Sequence, residues 1–280
     1  MGSLAFTACG DDNETPAPSE ENKNAEGENA TNNDLVGTWE AKGEQVKSVY
    51  IFTNDKLTIE NYYFNYQENT WKLDESASFE GSYTLKDGIL SYVTTYKYYD
   101  QQEQKEKEAS KTVEVVAKLL YNKTALVLLT TMRNEEFVDY TVSQILYKKG
   151  ATIPAKLDDI QGDWRWYMNG DVTNTRVAVQ ISGDKMKLII VAWGQRYDGT
   201  ITYENGYINF TVEKGYTSRG NSQGEGWGEG DLNPETLEGN WTELDSNSWM
   251  YYHLKDMPFI ANGKEAYGIL ANLPGVYYKK

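Results

Sequence analysis

The sequence predicts an all-β protein: two tandem antiparallel up-and-down β-barrels of about eight strands each, preceded by a disordered acidic tether. Three observations carry this. Apolar side chains recur with a period of two, the pattern of half-buried strands. A set of landmarks occurs twice in the same order, which marks a duplicated unit. Residues 10–33 contain no apolar side chain larger than Ala.

The N-terminal segment comes first. Residues 10–34 hold eight acids against one base, Lys23, in a chain whose net charge is −15. Such a segment cannot bury enough apolar area to offset a chain entropy of roughly 1–2 kcal/mol per residue. A flexible, self-repelling tether over 10–33 is expected. Upstream stands Leu4-Ala5-Phe6-Thr7-Ala8-Cys9, an apolar stretch ending in small residues and the single cysteine.

The duplicated unit follows. Leu35-Val36-Gly37-Thr38-Trp39 is echoed by Ile160-Gln161-Gly162-Asp163-Trp164, each preceded by an acid, Asp34 or Asp159. Gly81-Ser82-Tyr83-Thr84 leading to Asp87-Gly88 is echoed by Gly199-Thr200-Ile201-Thr202 leading to Asn205-Gly206. The copies end on Tyr147-Lys148-Lys149 and Tyr278-Lys279-Lys280. The units therefore span 34–149 and 159–280, with 150–158 as the linker.

Strands are legible within each unit. Val46, Ser48, Tyr50 and Phe52 fall on one side of a strand, with Lys47 and Val49 on the other. Asn54-Asp55 turns the chain into Leu57-Thr58-Ile59, and Asp87-Gly88 is a strong type I′ hairpin signal. Val113, Val115 and Ala117 alternate with Glu114, Val116 and Lys118 before a turn at Asn122-Lys123. Residues 137–148 close the first unit. In the second, turns stand at Asn169-Gly170, Gly183-Asp184 and Asn205-Gly206. Residues 101–110 have no apolar face and read as a solvated hairpin tip. Sequential hairpins of this number suggest a closed barrel, the arrangement that removes exposed strand edges.

Composition excludes several classes. Lys+Arg 27 against Asp+Glu 42 argues against nucleic acid as a partner. No apolar run reaches the length of a membrane-spanning helix. One Cys and one His, His253, leave no basis for a disulfide framework, a multi-Cys metal site or a Ser-His-Asp triad. Neither a P-loop nor a dinucleotide-binding glycine fingerprint occurs, so no cofactor is expected.

The Gly-x-Trp element entering the first strand of an eight-strand meander resembles the lipocalins and the wider calycin group. More closely, each half resembles the lipocalin-like domains of Bacteroides-type surface lipoproteins. The resemblance implies that Trp39 and Trp164 plug the closed ends of the barrels. It also implies that a base from the last strand covers each ring, with Lys148 or Lys149 and Lys279 or Lys280 as candidates. Leu4 to Cys9 followed by Gly10-Asp11-Asp12 resembles the end of a lipoprotein signal peptide with an acidic export signal. On that resemblance residues 1–9 are the signal remnant, Cys9 is lipidated, and the protein sits on the outer membrane facing the exterior.

Two groups of residues are candidates for ligand binding. The first lies in the glycine-rich segment between the fifth and sixth strands of the second unit, where Tyr216, Trp227 and Trp241 form a stacking surface near a barrel end with Arg219 as a polar handle. The second is Tyr62, Phe64 and Tyr66, which share a strand face and are expected to point into the barrel, as are Tyr92, Tyr96 and Tyr98. A Tyr-rich interior offers hydrogen-bonding tips to an amphipathic guest. The expected function is non-enzymatic, non-covalent binding of a small apolar or amphipathic molecule. A glycan-binding accessory role in nutrient capture is the first alternative, and a carboxylate-dependent hydrolase the second.

Overall fold

A computed structural model describes residues 28–43, 45–100, 104–132, 140–167, 170–218, 232–245 and 254–280. Cys9, residues 10–27 of the tether, Arg219, Trp227 and His253 lie outside them.

The first barrel is built from β2 (Gly37–Lys42), β3 (Val46–Phe52), β4 (Lys56–Asn65), β6 (Phe79–Lys86), β7 (Ile89–Asp100), β8 (Lys105–Leu120), β9 (Ala125–Met132) and β10 (Tyr140–Lys148). Each pairs antiparallel with the next, and β10 returns to β2, so the sheet closes. Two short strands, β1 (Glu28–Asn29) and β5 (Thr70–Leu73), are added to β8 and β4. The second barrel closes in the same way through β11 (Gly162–Tyr167), β12 (Thr175–Ser182), β13 (Lys185–Ile190), β14 (Gln195–Glu204), β15 (Tyr207–Thr217), β17 (Met257–Asn262), β18 (Glu265–Leu270) and β19 (Leu273–Lys279). A short strand β16 (Thr242–Glu243) flanks β15. The expected pair of closed eight-strand antiparallel barrels is what the chain forms.

Turn chemistry sets the hairpins. Asp87 and Gly88 both have positive φ, 52° and 76°, as do Asn205 and Gly206, 51° and 82°. These match a type I′ turn, whose twist suits the flanking strands.

The tether differs at its C-terminal end. Residues 28–33 belong to the barrel rather than to a disordered segment. β7 begins opposite Val116, so β8 from Ala117 onward has an open edge, and β1 pairs there. Ala30 is buried beside Ala117 and Leu119 in the core. The tip expected over 101–110 is also shorter than its composition suggested. β7 and β8 extend as a two-stranded ribbon in which Lys97 stands opposite Glu108 and Asp100 opposite Lys105. On the β8 side Lys105, Glu106 and Glu108 are exposed, which is why no apolar face marked this stretch.

Both closed ends share one construction. A single helical turn, Asn32–Leu35 or Leu157–Ile160, precedes the first strand. Asp34 accepts from the Thr31 amide and hydroxyl, and Asp159 from the Lys156 amide at 2.7 Å, capping those turns. The last carbonyl of each turn accepts the indole N–H: Trp39 to Leu35 at 2.7 Å and Trp164 to Ile160 at 2.8 Å. Both indoles are fully buried. The ammonium of Lys148 lies 5.4 Å from the Trp39 ring and that of Lys279 lies 5.2 Å from the Trp164 ring, within cation–π range. Gly37 and Gly162 have φ of +128° and +120°, and a Cβ on Gly162 would stand 3.0 Å from the Lys279 stem. Glycine there supplies the backbone conformation and leaves room for the lysine.

The barrels dock flank to flank. Leu120, Val127, Ile145 and Tyr147 of the first form one buried cluster with Ile260, Tyr267 and Val276 of the second, and linker Ile153 joins them. Strand β9 therefore has both faces buried: Leu126 and Leu128 face its own barrel, Val127 and Leu129 the neighbour. A strand buried on both sides reads as a continuous apolar run rather than an alternating one. Polar groups at this interface are paired across it. Tyr121 donates to Ala261 O at 2.9 Å, Ser143 to Gly275 O at 2.8 Å and Tyr147 to Gly206 O at 2.8 Å.

Candidate functional site

The duplication allows the two interiors to be compared position by position, because Trp39 and Trp164 have equivalent partners on both sides. Trp39 stands opposite Tyr50 and Lys148; Trp164 stands opposite Val179 and Lys279. One layer above the plug, the second barrel places Trp166, Val177 and Ile190, all buried, with Gly275 beneath the Trp166 ring. A Cβ on Gly275 would lie 2.7 Å from that ring. Tyr197, Phe210, Phe259 and Tyr277 join the same buried cluster, with Tyr277 beside Trp166 and Phe259 beside Trp164.

The first barrel has different residues at those register positions. Ala41 replaces Trp166, Ser48 replaces Val177, Asn61 replaces Ile190 and Gln144 replaces Gly275. All four remain partly exposed. Ser48 donates to the Asn61 side-chain oxygen at 2.6 Å, and the Tyr50 phenol donates to Gln144 Oε1 at 2.9 Å. Phe79 and Tyr92, with ring centroids 5.2 Å apart, form the opposite wall. Burial pushes the Tyr50 phenol well above its ordinary pKa, with the nearby Tyr92 adding to that and Gln144 opposing it, so both stay neutral donors. These residues form the candidate cup of the first barrel: an apolar layer (Ile59, Leu128, Val115) in its core next to the partly exposed, neutral hydrogen-bonding groups. The long ribbon of β7 and β8 and the hairpin of β4 and β5 stand at the mouth, on the side away from Trp39.

Tyr62, Phe64 and Tyr66 are not part of this cup, which corrects the expectation that they point inward. Strand β4 turns Leu57, Ile59 and Asn61 inward, so Tyr62 and Phe64 face out, and Tyr66 lies in the turn beyond. They meet Trp71 of β5: Phe64 stands 5.3 Å from Trp71 and 5.2 Å from Tyr66, both edge to face. The ammonium of Lys47 lies over the Tyr62 ring at 4.3 Å, and the Tyr62 hydroxyl donates to Glu60 at 2.7 Å. The period of two marked a shared face correctly but not which face.

In the second barrel the structure brings Tyr216 and Trp241 together, with Arg196 as the residue between them. Its guanidinium lies 4.7 Å from the Tyr216 ring and 5.9 Å from that of Trp241. Two of its nitrogens donate to Asp198. Arg196 was missed in the sequence because strand pairing, Arg196 opposite Tyr216, creates the contact. The segment around Trp241 does not sit at a barrel end as expected. Its described part lies along the flank, where Leu232 and Leu237 bury Ala178 and Ile189 on the outer face of β12 and β13. Arg165, itself buried, donates to Glu235 O at 3.3 Å and is held by both oxygens of Asp163.

Compared with known proteins, the chain matches no family model, no curated protein and no solved structure.

Proposed function

We propose that the protein is a non-enzymatic binding protein, tethered to the outer membrane through a lipid on Cys9 and facing outward, which takes a small amphipathic molecule in the cup of the first barrel. One observation carries the reading: the layer that Trp166 fills in one copy is left to Ala41, Ser48, Asn61 and Gln144 in the other. Apolar surface below and neutral donors and acceptors above suit a ligand with an apolar body and a polar, uncharged end.

The test is a titration with a fluorescent medium-chain alcohol. Saturable binding at one site is expected, lost in Ala41→Trp, which rebuilds the plug of the second barrel. Gln144→Ala weakens binding of the probe's polar end. Unsaturable binding, or binding that survives Ala41→Trp in a folded variant, overturns the assignment. Lipidation is read separately, by labelling cells with a palmitate analogue: wild type is labelled and Cys9→Ala is not.

A glycan-binding role is the second reading, favoured by the outward cluster of Tyr62, Phe64, Tyr66 and Trp71. Tyr66 is 63% exposed. Retardation in polysaccharide gels that Trp71→Ala abolishes supports it.

A further inference from the structure

The outer face of the second barrel carries a cleft that the cup does not explain. It has a volume of about 410 Å³ and is lined by polar ends of β11 to β15, among them Asp163, Gln180, Ser182, Lys187 and Asp198. Its depth has a local cause. The β14–β15 pairing shifts register between Asp198 and Gly199, so that Glu213 is the extra residue of a β-bulge. Bulges bend the strand and re-aim its side chains. Gly199 permits the bend, since a Cβ there would lie 2.0 Å from the Thr211 carbonyl oxygen.

Almost every charge in the cleft is already committed. Arg165 holds both oxygens of Asp163 at 2.8 Å, and Gln180 Nε2 adds a third contact at 3.2 Å. Arg196 holds both oxygens of Asp198. Lys185 pairs with Glu213 at 3.0 Å. The exception is Lys187, half-buried in the floor between Gln180 and Asp198 in the cross-strand register. Its ammonium makes no ion pair or hydrogen bond among the described residues. Beside it, the Gln180 amide oxygen and the Ser182 hydroxyl have no hydrogen-bond partner among the described residues; it is the Gln180 nitrogen that Asp163 uses.

We propose that this cleft binds a hydroxylated carboxylate, with the carboxylate on Lys187 and hydroxyls on Gln180 Oε1 and Ser182 Oγ. The chemistry follows from what is left over: one cation without an ion pair among the described residues, one acceptor and one donor-acceptor, in a protein whose net charge is −15. A half-buried ammonium is stabilised most by an anion that brings its own charge-assisted hydrogen bond. A cleft of this size holds a ligand larger than an inorganic ion. Sugar acids and small hydroxy acids share the required groups, and the probes distinguish them.

Calorimetric titration of the full chain with galacturonate, galactose and lactate tests the proposal. Galacturonate is expected to bind at one site, and galactose and lactate at least tenfold more weakly. Lys187→Met keeps the stem and removes the charge, and should weaken galacturonate at least tenfold. Because that ammonium has no partner among the described residues, the variant should melt like wild type, which separates loss of the site from loss of the structure. Added salt should weaken galacturonate and leave galactose unchanged. Lactate bound as tightly as galacturonate assigns the cleft to small hydroxy acids and keeps the role of Lys187. Failure of both acids to bind, or equal galacturonate binding in wild type and Lys187→Met, overturns the proposal. It is independent of the cup, which Ala41→Trp and Gln144→Ala address.

Discussion

The Tyr147 hydroxyl donates to the Gly206 carbonyl 2.8 Å away, and so joins the last strand of one barrel to the turn between β14 and β15 in the other. A Cβ on Gly206 would stand 2.4 Å from that hydroxyl, and its φ of +82° is one that side chains avoid. Gly206→Ala should therefore cost at least about 2 kcal/mol through strain and collision together. Tyr147→Phe should cost about 1–3 kcal/mol, because the carbonyl is left buried without a donor. In the double variant the hydroxyl contact is gone while the ring carbons at 2.7 and 2.9 Å remain, so the collision is eased in part and the cost should fall below the sum of the two singles. Denaturant melts of the four proteins measure the coupling; strict additivity would place the two residues in separate environments.

Docking through Leu120, Val127, Ile145, Ile260 and Val276 buries an apolar flank of each barrel. Calorimetry should show one cooperative transition covering both barrels. Ile145→Asp, which buries a charge at the interface, should split it into two or lower it sharply. Two well-separated transitions in the wild type would mean that the interface contributes little.

Trp39→Ala removes a fully buried indole, its hydrogen bond to Leu35 and the surface that Lys148 covers. A cost of about 3–5 kcal/mol is expected. Trp164→Ala should cost a similar amount, since the same contacts recur with Ile160 and Lys279. A variant melting within a degree of wild type would remove the indole from its role as plug.

Alkaline pH should destabilise the protein through its buried tyrosines. Burial raises the phenols of Tyr50, Tyr121, Tyr147, Tyr203, Tyr207, Tyr267 and Tyr277 above the ordinary tyrosine value. A group whose folded pKa is raised contributes stability that is complete below its unfolded pKa, here about 10. That contribution declines as pH rises past this value, because only the unfolded chain ionises freely. Stability should thus fall from about pH 10 upward, and spectrophotometric titration should show phenolate appearing together with loss of near-UV circular dichroism. Early titration of all 22 tyrosines in a folded protein would contradict the burial.

The Asp163–Arg165 pair has the opposite dependence. Burial works to raise the Asp163 carboxyl, but the hydrogen-bonded guanidinium of Arg165, with help from Gln180, outweighs it and holds the carboxyl below its usual value. Its stabilising contribution is present above the unfolded pKa of about 3.9 and is lost as pH falls through the lower folded value. Asp163→Asn should destabilise by about 2–3 kcal/mol at neutral pH, since Arg165 is buried and loses its counter-ion. The gap between variant and wild type should close in strong acid, which urea melts at neutral pH and near pH 3 would reveal.

Much of this architecture was legible in the chain itself. The period of two gave strands, Asp87-Gly88 and Asn205-Gly206 gave the hairpins, and the repeated Gly-x-Trp gave two units with equivalent closed ends. These are local or duplicated signals, written into neighbouring residues. The polar interruptions Ser48, Asn61 and Gln144 were also visible, but as isolated breaks in three strands far apart in sequence.

Closure decided the rest. Only when β10 returns to β2 does Gln144 face Tyr50, and only strand pairing sets Arg196 between Tyr216 and Trp241. Alternation sorts side chains into two faces without saying which is inside, so Tyr62 and Phe64 were assigned by the register of β4 against β3 and not by their spacing. The contact between the barrels likewise belongs to the tertiary structure alone. It depends on two outer surfaces meeting, and the apolar run at Leu126–Leu129 records that a second face is buried without recording what buries it.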